Sequence, residues 1–366
     1  MPMPIDFLYI KFILWVFIGG LLVSKLSTRR HIEVLGVKRE RWSIPAAIIF
    51  LIPLVYWCAS RSVNYGDTGA YRASFLNAPG SLSELSSYMA SINKDAMFYG
   101  LGVIIKSLIT TDYKVYFAII ASVQLLCLGL VYRKYSRDYW MSIFLFVAST
   151  EYTAWMFNGM RQFLAAAISF TALPFILNKK YIPSILIVFI ASRFHQSALL
   201  MIPVIFIVQG KAWNGKTILV AFGTLIAVAF IDEFTGFLDS TLQDTQYENV
   251  VSDWQNEFND DGTNVLRVLV YAVPTILAFI WKEKLAETDN PLIHLCVNMS
   301  IVSTGIYVIS MFTSGIFIGR LPIYFSLYNY ILLPWELRHF FKRDSRAIVT
   351  ACTIGFYLLF YVYSYL

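Results

Sequence analysis

Residues 115–131 read VYFAIIASVQLLCLGLV and contain no charged side chain. Blocks of this kind recur along the chain, and a helix needs roughly 20 apolar residues to cross the hydrocarbon core of a bilayer. Over all 366 residues, 58% are hydrophobic and 14% are charged, whereas about 25% of the residues in a water-soluble domain are charged. The sequence therefore predicts an integral membrane protein built from helices.

The apolar blocks predict an all-α, polytopic bundle of about 11 spans that forms one integral membrane domain over residues 1–366. One block, residues 181–208, is ambiguous, because its halves on either side of Ser192–Gln196 are each only about a dozen residues long. Since such halves are too short to cross alone, they predict a broken or re-entrant helical pair. The other candidate spans are 5–23, 43–59, 115–131, 139–157, 159–178, 216–232, 265–281, 292–312, 319–336 and 347–366.

Basic residues concentrate in short loops between these blocks, beginning with the segment from Lys25 to Arg41. Because cytoplasmic loops are enriched in lysine and arginine, these loops are predicted to lie in the cytoplasm. Residues 60–96 and the acidic segment 233–264 then become outer loops, and Met97 to Thr110 becomes an interfacial helix. The first block has no basic residues ahead of it and no cleavage signal, so it is expected to be a retained span.

The polar residues that are unusual for a membrane protein fall on the predicted outer side. Charged groups persist in such positions mainly where they have a partner or line a wet cavity. Several arginines on one face predict an anionic ligand, and phosphate fits best because a guanidinium matches two phosphate oxygens. The residues of this predicted site are Asp67, Tyr71, Arg72, Arg161, Gln162, Arg193, His195, Arg320, Tyr324 and Tyr328.

Their spacing suggests individual roles. Arg161 is expected in the first turn of a helix, where unpaired backbone N–H groups add positive potential. Arg320, Tyr324 and Tyr328 recur at i, i+4 and i+8, so one helix face is predicted to present a cation and two phenols. An unperturbed imidazole has a pKa near neutrality, so His195 is a candidate acid or base.

Structural interpretations of the same residues remain open. Arg161 and Arg320 also fit anchors that extend to the membrane interface from helix ends. His195 also fits a partner for a backbone carbonyl that the helix break leaves free. Asp67 lies in a glycine-rich turn, where aspartate often bonds backbone N–H groups.

Two motifs resemble a known family. The run NGMRQFLAAA at 158–167, followed by ASRFHQSA at 191–198, resembles the EpsG-type family of bacterial polysaccharide polymerases, which groups with Wzy-type O-antigen polymerases. Gly66–Thr68 with Tyr71, and Arg320 with Tyr324, are similar to the first outer loop and a late span of that family. The acidic segment 233–264 matches no pattern of the family.

The resemblance implies a GT-C-like glycosyltransferase of the bacterial cytoplasmic (inner) membrane whose site faces the periplasm. It would transfer a growing glycan from undecaprenyl diphosphate to the next lipid-linked repeat. Arg161 and Arg320 would hold the diphosphates with help from Arg193, and either His195 or Asp67 would deprotonate the attacking hydroxyl. The outer loops lack a D-x-D pair, so no metal or other cofactor is expected. Implied partners are the lipid-linked repeats, membrane lipid and a chain-length regulator protein, and no nucleic acid.

Three other functions would use similar residues. A lipid-linked oligosaccharide flippase needs arginines for the diphosphate, but it should place them in mid-membrane. A membrane acyltransferase would need a histidine with a partner base. An O-antigen ligase shares the chemistry of the polymerase.

Overall fold

The computed structural model describes residues 7–241 and 262–366, apart from the side chain of Asp239. Most of the predicted acidic loop, residues 242–261, lies outside the described residues. The chain forms two compact units, residues 1–199 with 343–366 and residues 200–342, and each is described by itself. The single membrane domain expected from the sequence stays a prediction.

The described residues are mainly helical, as the composition predicts. In the first part of the chain the helices are α1 Phe7–Leu26, α2 Ile44–Ala59, α3 Thr68–Asn77, α4 Leu85–Ser91, α5 Ala96–Leu108, α6 Tyr113–Tyr135, α7 Tyr139–Ala148, α8 Glu151–Asn158, α9 Met160–Phe170, α10 Leu173–Leu177 and α11 Tyr181–Ser192. They are followed by α12 Met201–Ile207, α13 Gly215–Ala229, α14 Ile231–Thr241, α15 Val265–Ile280, α16 Lys282–Ala286, α17 Pro291–Ser310, α18 Ile323–Ser326, α19 Asn329–His339 and α20 Arg343–Tyr365.

Four helices in the described part of the chain, α1, α6, α17 and α20, are long and apolar enough to span a membrane. The pair α13–α14 adds a fifth if it is counted as one span bent by 103°. Other predicted spans are shorter or broken: 139–157 is divided into α7 and α8 at Thr150, which has a φ of 71°. The count of about 11 spans and the GT-C-like architecture stay predictions.

The core of the first unit is formed by α6 and the helices around it. Helix α2 packs closely on α6, where Gly129 lies so near Leu51 that a Cβ would approach Leu51 Cδ1 to 2.7 Å. Nearer the start of α6, the rings of Phe75 and Tyr116 stack with their centroids 4.3 Å apart. This contact packs the polar helix α3 on α6, and with it the turn that contains Asp67.

Residues between α1 and α2 form a β-hairpin, which the all-α prediction missed. Strands β1 Arg29–Val34 and β2 Val37–Trp42 pair antiparallel. Leu35 and Gly36 connect them with φ values of 52° and 73°, which is the requirement for both central residues of a type I′ turn. The high charge of these strands made the segment resemble a basic loop.

The segment 181–208 breaks where the sequence predicts. Helix α11 ends at Ser192, a turn follows, and a 3-10 helix, Gln196–Leu200, leads into α12. The backbone N–H groups of Phe194 and His195 both donate to the carbonyl of Ala191. The re-entrant course of this segment through the membrane stays a prediction.

The predicted span 319–336 is not one helix. A 3-10 turn, Ile318–Arg320, is followed by α18 and then by α19, so Arg320, Tyr324 and Tyr328 belong to successive short elements. The prediction of one continuous helix face with i, i+4, i+8 spacing is therefore wrong. Pro322 lacks a backbone N–H and stands where that helix would have to continue.

In the second unit, Gly262 packs against the backbone that follows α17. Its φ is +82°, and a Cβ there would lie 2.6 Å from the carbonyl oxygen of Met311. We expect Gly262→Ala to lower the free energy of unfolding by about 1–3 kcal/mol. The substitution adds backbone strain, and the new Cβ would clash with backbone atoms, which cannot shift aside as the end of a flexible side chain can. Thermal unfolding of the purified protein measures this.

Gly223→Ala is the matched control for that substitution. A Cβ at Gly223, within α13, meets no atom within 4 Å, and alanine favours a helix interior by about 1 kcal/mol over glycine. An equal loss of stability in both variants would contradict the proposed role of Gly262.

Candidate functional site

Asp95 joins three segments of the first unit. Its carboxylate lies 2.9 Å from the guanidinium of Arg161, at the start of α9. It also accepts a hydrogen bond from the backbone N–H of Gln196, in the turn after α11. His195 Nε2 lies 4.0 Å from the same carboxylate oxygen that contacts Arg161. The residues of the two sequence motifs therefore meet around one carboxylate.

Local structure fixes Asp95 in this position. It directly precedes α5 and has a left-handed backbone with a φ of 58°, yet its side chain makes no capping bond to that helix. Its carboxylate is 5% exposed, whereas the side chain of Arg161 is 30% exposed. Left-handed conformations are costly for non-glycine residues and often mark functional positions. The geometry directs the carboxylate to Arg161 instead of to its own helix.

Arg161 lies against two phenols. The hydroxyl of Tyr71 is within hydrogen-bond reach of the guanidinium, and the ring of Tyr99 has its centroid 5.5 Å from Arg161 Cζ. Helix α9 begins at Met160, whose carbonyl accepts a hydrogen bond of 2.9 Å from Gln124 Nε2. Arg161 is thus in the first turn of a helix, as predicted, and its orientation is set from three sides.

His195 is partly buried beside this pair. Its Nδ1 lies 2.7 Å from the hydroxyl of Ser197, two residues along the chain. With Nδ1 bonded to Ser197, Nε2 is the ring nitrogen closer to Asp95 and Arg161. Arg193, in the same turn, is exposed. A titratable imidazole and an exposed guanidinium consequently belong to one short turn beside the Asp95–Arg161 pair.

A second arginine packs against Met160, the residue that precedes Arg161. Arg61 is 3% exposed, donates to Thr68 Oγ1 at 2.8 Å, and contacts Met160 Sδ at 3.4 Å. Its guanidinium also stacks on the ring of Phe157, 4.9 Å from the centroid. Within the described part of the chain it makes no ion pair with a carboxylate. Its charge therefore adds positive potential near the start of α9.

Burial shapes the electrostatics of the cluster. It raises the pKa of Asp95 above the ordinary value of 3.8, although Arg161 and Lys94 oppose this. It also raises the pKa of the Tyr71 phenol, with Arg161 again opposing the shift. Tyr71 is therefore a neutral hydroxyl at physiological pH that can donate a hydrogen bond.

Three other predicted residues lie on or beside α3 and α9, the helices that contain Tyr71 and Arg161. Asp67 is exposed at the start of α3, where its backbone N–H donates to the carbonyl of Phe157, and its charge acts on Tyr71. Gln162 is 6% exposed, beside Arg161 on α9. Arg72 is exposed and contacts the ring of Tyr113, 5.1 Å from the centroid.

Three more predicted site residues belong to the second unit. Arg320 is half-buried, whereas Tyr324 and Tyr328 are 1% and 0% exposed. The turn of Arg320 packs on Thr263, because a Cβ at Gly319 would lie 2.5 Å from Thr263 Oγ1. Arg320 therefore lies near the point where the acidic segment rejoins the described chain.

Sequence reasoning missed Asp95 and Arg61. Asp95 resembles an ordinary helix cap because it directly precedes an apolar helix, and only the structure shows that it makes no cap. A signal was present, since Asp95 is an acid in the same predicted outer loop that contributes cations to the site. Arg61 comes two residues after the end of α2 and has the sequence appearance of an interfacial anchor.

Comparison with known proteins agrees with the motifs. The EpsG family model matches residues 44–366. No curated protein and no solved structure matches the chain. Its apolar helices and this family match together indicate a membrane protein of the polysaccharide-polymerase type. The chain belongs to the EpsG family.

Proposed function

We propose that this protein polymerises a polysaccharide by transferring a growing glycan from undecaprenyl diphosphate to the next lipid-linked repeat, on the outer face of the bacterial inner membrane. The observation that supports this most directly is the cluster of Arg161, Asp95 and His195. It combines an anion-binding guanidinium, a carboxylate that positions it, and a titratable base. Family membership supports the same class of reaction.

In the proposed reaction, a hydroxyl of the incoming repeat attacks the anomeric carbon of the growing chain. The bond from that carbon to the diphosphate oxygen breaks, and the electron pair leaves with the lipid diphosphate. Negative charge develops on this leaving group in the transition state, where a preorganised cation is most effective. Arg161 provides this cation, because Asp95, Tyr71 and Tyr99 hold it in place before substrate arrives.

The proton of the attacking hydroxyl passes to His195 Nε2 while Nδ1–H donates to Ser197. Asp95 then stabilises the resulting imidazolium from 4.0 Å. The sequence left His195 and Asp67 as equal candidates for this base. We favour His195 because it lies beside Arg161, whereas Asp67 is exposed and reaches the cluster through Tyr71.

Arg193 is proposed to bind the second diphosphate. It is exposed in the turn that contains His195 and can follow a mobile lipid substrate. A guanidinium suits this position because it stays charged at any physiological pH. The part expected of Arg320 in holding a diphosphate stays a prediction from the sequence.

Deletion of the protein tests the proposed function. We expect surface polysaccharide to shrink to single repeat units while those units still reach the cell surface. Complete absence of repeats outside the membrane would indicate a flippase, and lipid-linked polymer that is never transferred would indicate a ligase. Gel electrophoresis of surface polysaccharide distinguishes these outcomes.

A further inference from the structure

The β-hairpin has two faces of different chemistry. In the observed register, Arg30 pairs with Arg41 and Ile32 pairs with Arg39. Because paired residues project to the same side and side chains alternate along a strand, Arg30, Arg39 and Arg41 share one face. That face also bears Ile32, Val34 and Val37, and it has no acidic residue.

The opposite face is mixed in charge. His31 pairs with Glu40, and Glu33 pairs with Lys38. Both glutamates of the hairpin therefore lie away from the three arginines. Within the described residues, none of these three arginines makes an ion pair with a carboxylate.

The end of α6 adds further arginines to this face. Arg41 Nε donates to the carbonyl of Lys134 at 3.1 Å, and Arg133 Nε donates to the carbonyl of Trp42 at 2.6 Å. Arg137 is near enough to act on Arg41. Burial and the arginines around it lower the pKa of Arg41 to about 10. Like charges placed directly opposite in a hairpin destabilise it unless an anion lies between them.

The surroundings indicate where that anion comes from. The hairpin connects two apolar helices, and the residues of those helices nearest the hairpin, Leu26 and Ile44, are 83% and 47% exposed. Exposed apolar side chains on a membrane helix face lipid. On the hairpin itself, the apolar Ile32 and Val37 accompany the arginines. A soluble acidic partner would need no apolar surface around the cations.

We propose that the face bearing Arg30, Arg39 and Arg41 binds the phosphate of an anionic phospholipid headgroup at the membrane surface. Arg30 and Arg39 bond the phosphate oxygens in bidentate fashion, whereas Arg41, whose Nε and Nη1 donate to backbone carbonyls, contributes mainly its charge. The acyl chains continue along the exposed apolar side chains near Leu26 and Ile44. The bound lipid fixes the hairpin against the end of α6. This site is independent of the proposed glycan chemistry.

The test is binding of phosphatidylglycerol to the purified full-length protein, measured by native mass spectrometry with phosphatidylcholine for comparison. A basic residue near an anionic membrane surface contributes about fivefold in affinity, and two contribute about 30-fold. We expect Arg39→Gln to weaken phosphatidylglycerol binding about fivefold and the double variant Arg30→Gln/Arg39→Gln about 30-fold. Arg39→Lys should retain more affinity than Arg39→Gln.

Lys38→Gln is the matched control, because it removes the same charge from the adjacent residue on the opposite face. We expect it to change the affinity by less than about twofold. Equal weakening by Lys38→Gln and Arg39→Gln would show diffuse attraction and overturn the site. Displacement of the lipid by millimolar inorganic phosphate would identify a site for small anions and overturn it as well. Equal binding of phosphatidylglycerol and phosphatidylcholine would likewise overturn the proposed site.

Discussion

Arg161→Ala is expected to abolish chain extension while the protein remains in the membrane at its normal level. Removal of one preorganised donor from a developing anion typically slows a reaction by about 100- to 1000-fold. Arg161 contacts the carboxylate of Asp95 at 2.9 Å and lies against Tyr99 and Tyr71, so its guanidinium is held in place before substrate arrives. The measurement is polymer length made by membrane vesicles from lipid-linked repeats.

Two further variants sharpen that result. Lys114→Ala removes an exposed cation from the start of α6, which is predicted to lie on the same side of the membrane, and should leave polymer length unchanged. Arg161→Lys keeps the charge but loses the two-pronged donor, so we expect it to recover only part of the activity. Polymer of normal length from Arg161→Ala would exclude Arg161 from the mechanism.

Asp95→Asn is expected to slow extension about 100-fold, because a small displacement of a positioned group can cost that much. Asp95 acts through Arg161 and His195, so its role is to position them. Part of its effect should therefore disappear when Arg161 is already absent: the loss of rate in Asp95→Asn/Arg161→Ala should be smaller than the product of the two single losses. Multiplied losses in the double variant would contradict this coupling.

A stability measurement distinguishes this positioning role of Asp95 from a purely structural role. Burial raises the folded-state pKa of Asp95, so the folded protein binds this proton more tightly than the unfolded chain. Ionised Asp95 therefore lowers the free energy of unfolding. This loss is absent at pH values below the pKa of Asp95 in the unfolded chain and is complete once the pH exceeds its pKa in the folded protein. We expect Asp95→Asn to unfold at pH 7 at a temperature no lower than wild type. A large decrease in unfolding temperature would instead show that Asp95 serves mainly to stabilise the fold.

Several features of the site were predictable because they depend on short stretches of sequence. The first turn of α9 contains Arg161 because Gly159 and Met160 end one helix and begin the next. The break at Ser192–His195 was predictable because two apolar halves of insufficient length flank a polar run. The prediction that Arg320, Tyr324 and Tyr328 share one helix face was wrong, because residues at i and i+4 lie on the same face only where the helix is continuous.

Sequence by itself determined that this chain is a helical membrane protein, where its main apolar helices lie, and that its motifs are those of the EpsG family. These properties follow from composition and from the local spacing of residues within each segment. They do not depend on contacts between segments. Only the tertiary structure decided that Asp95 is the partner of Arg161, because the two residues are far apart in sequence and Asp95 alone resembles a helix cap. It also decided that the arginines of the hairpin share one face, since strand register depends on pairing between segments and not on either strand alone.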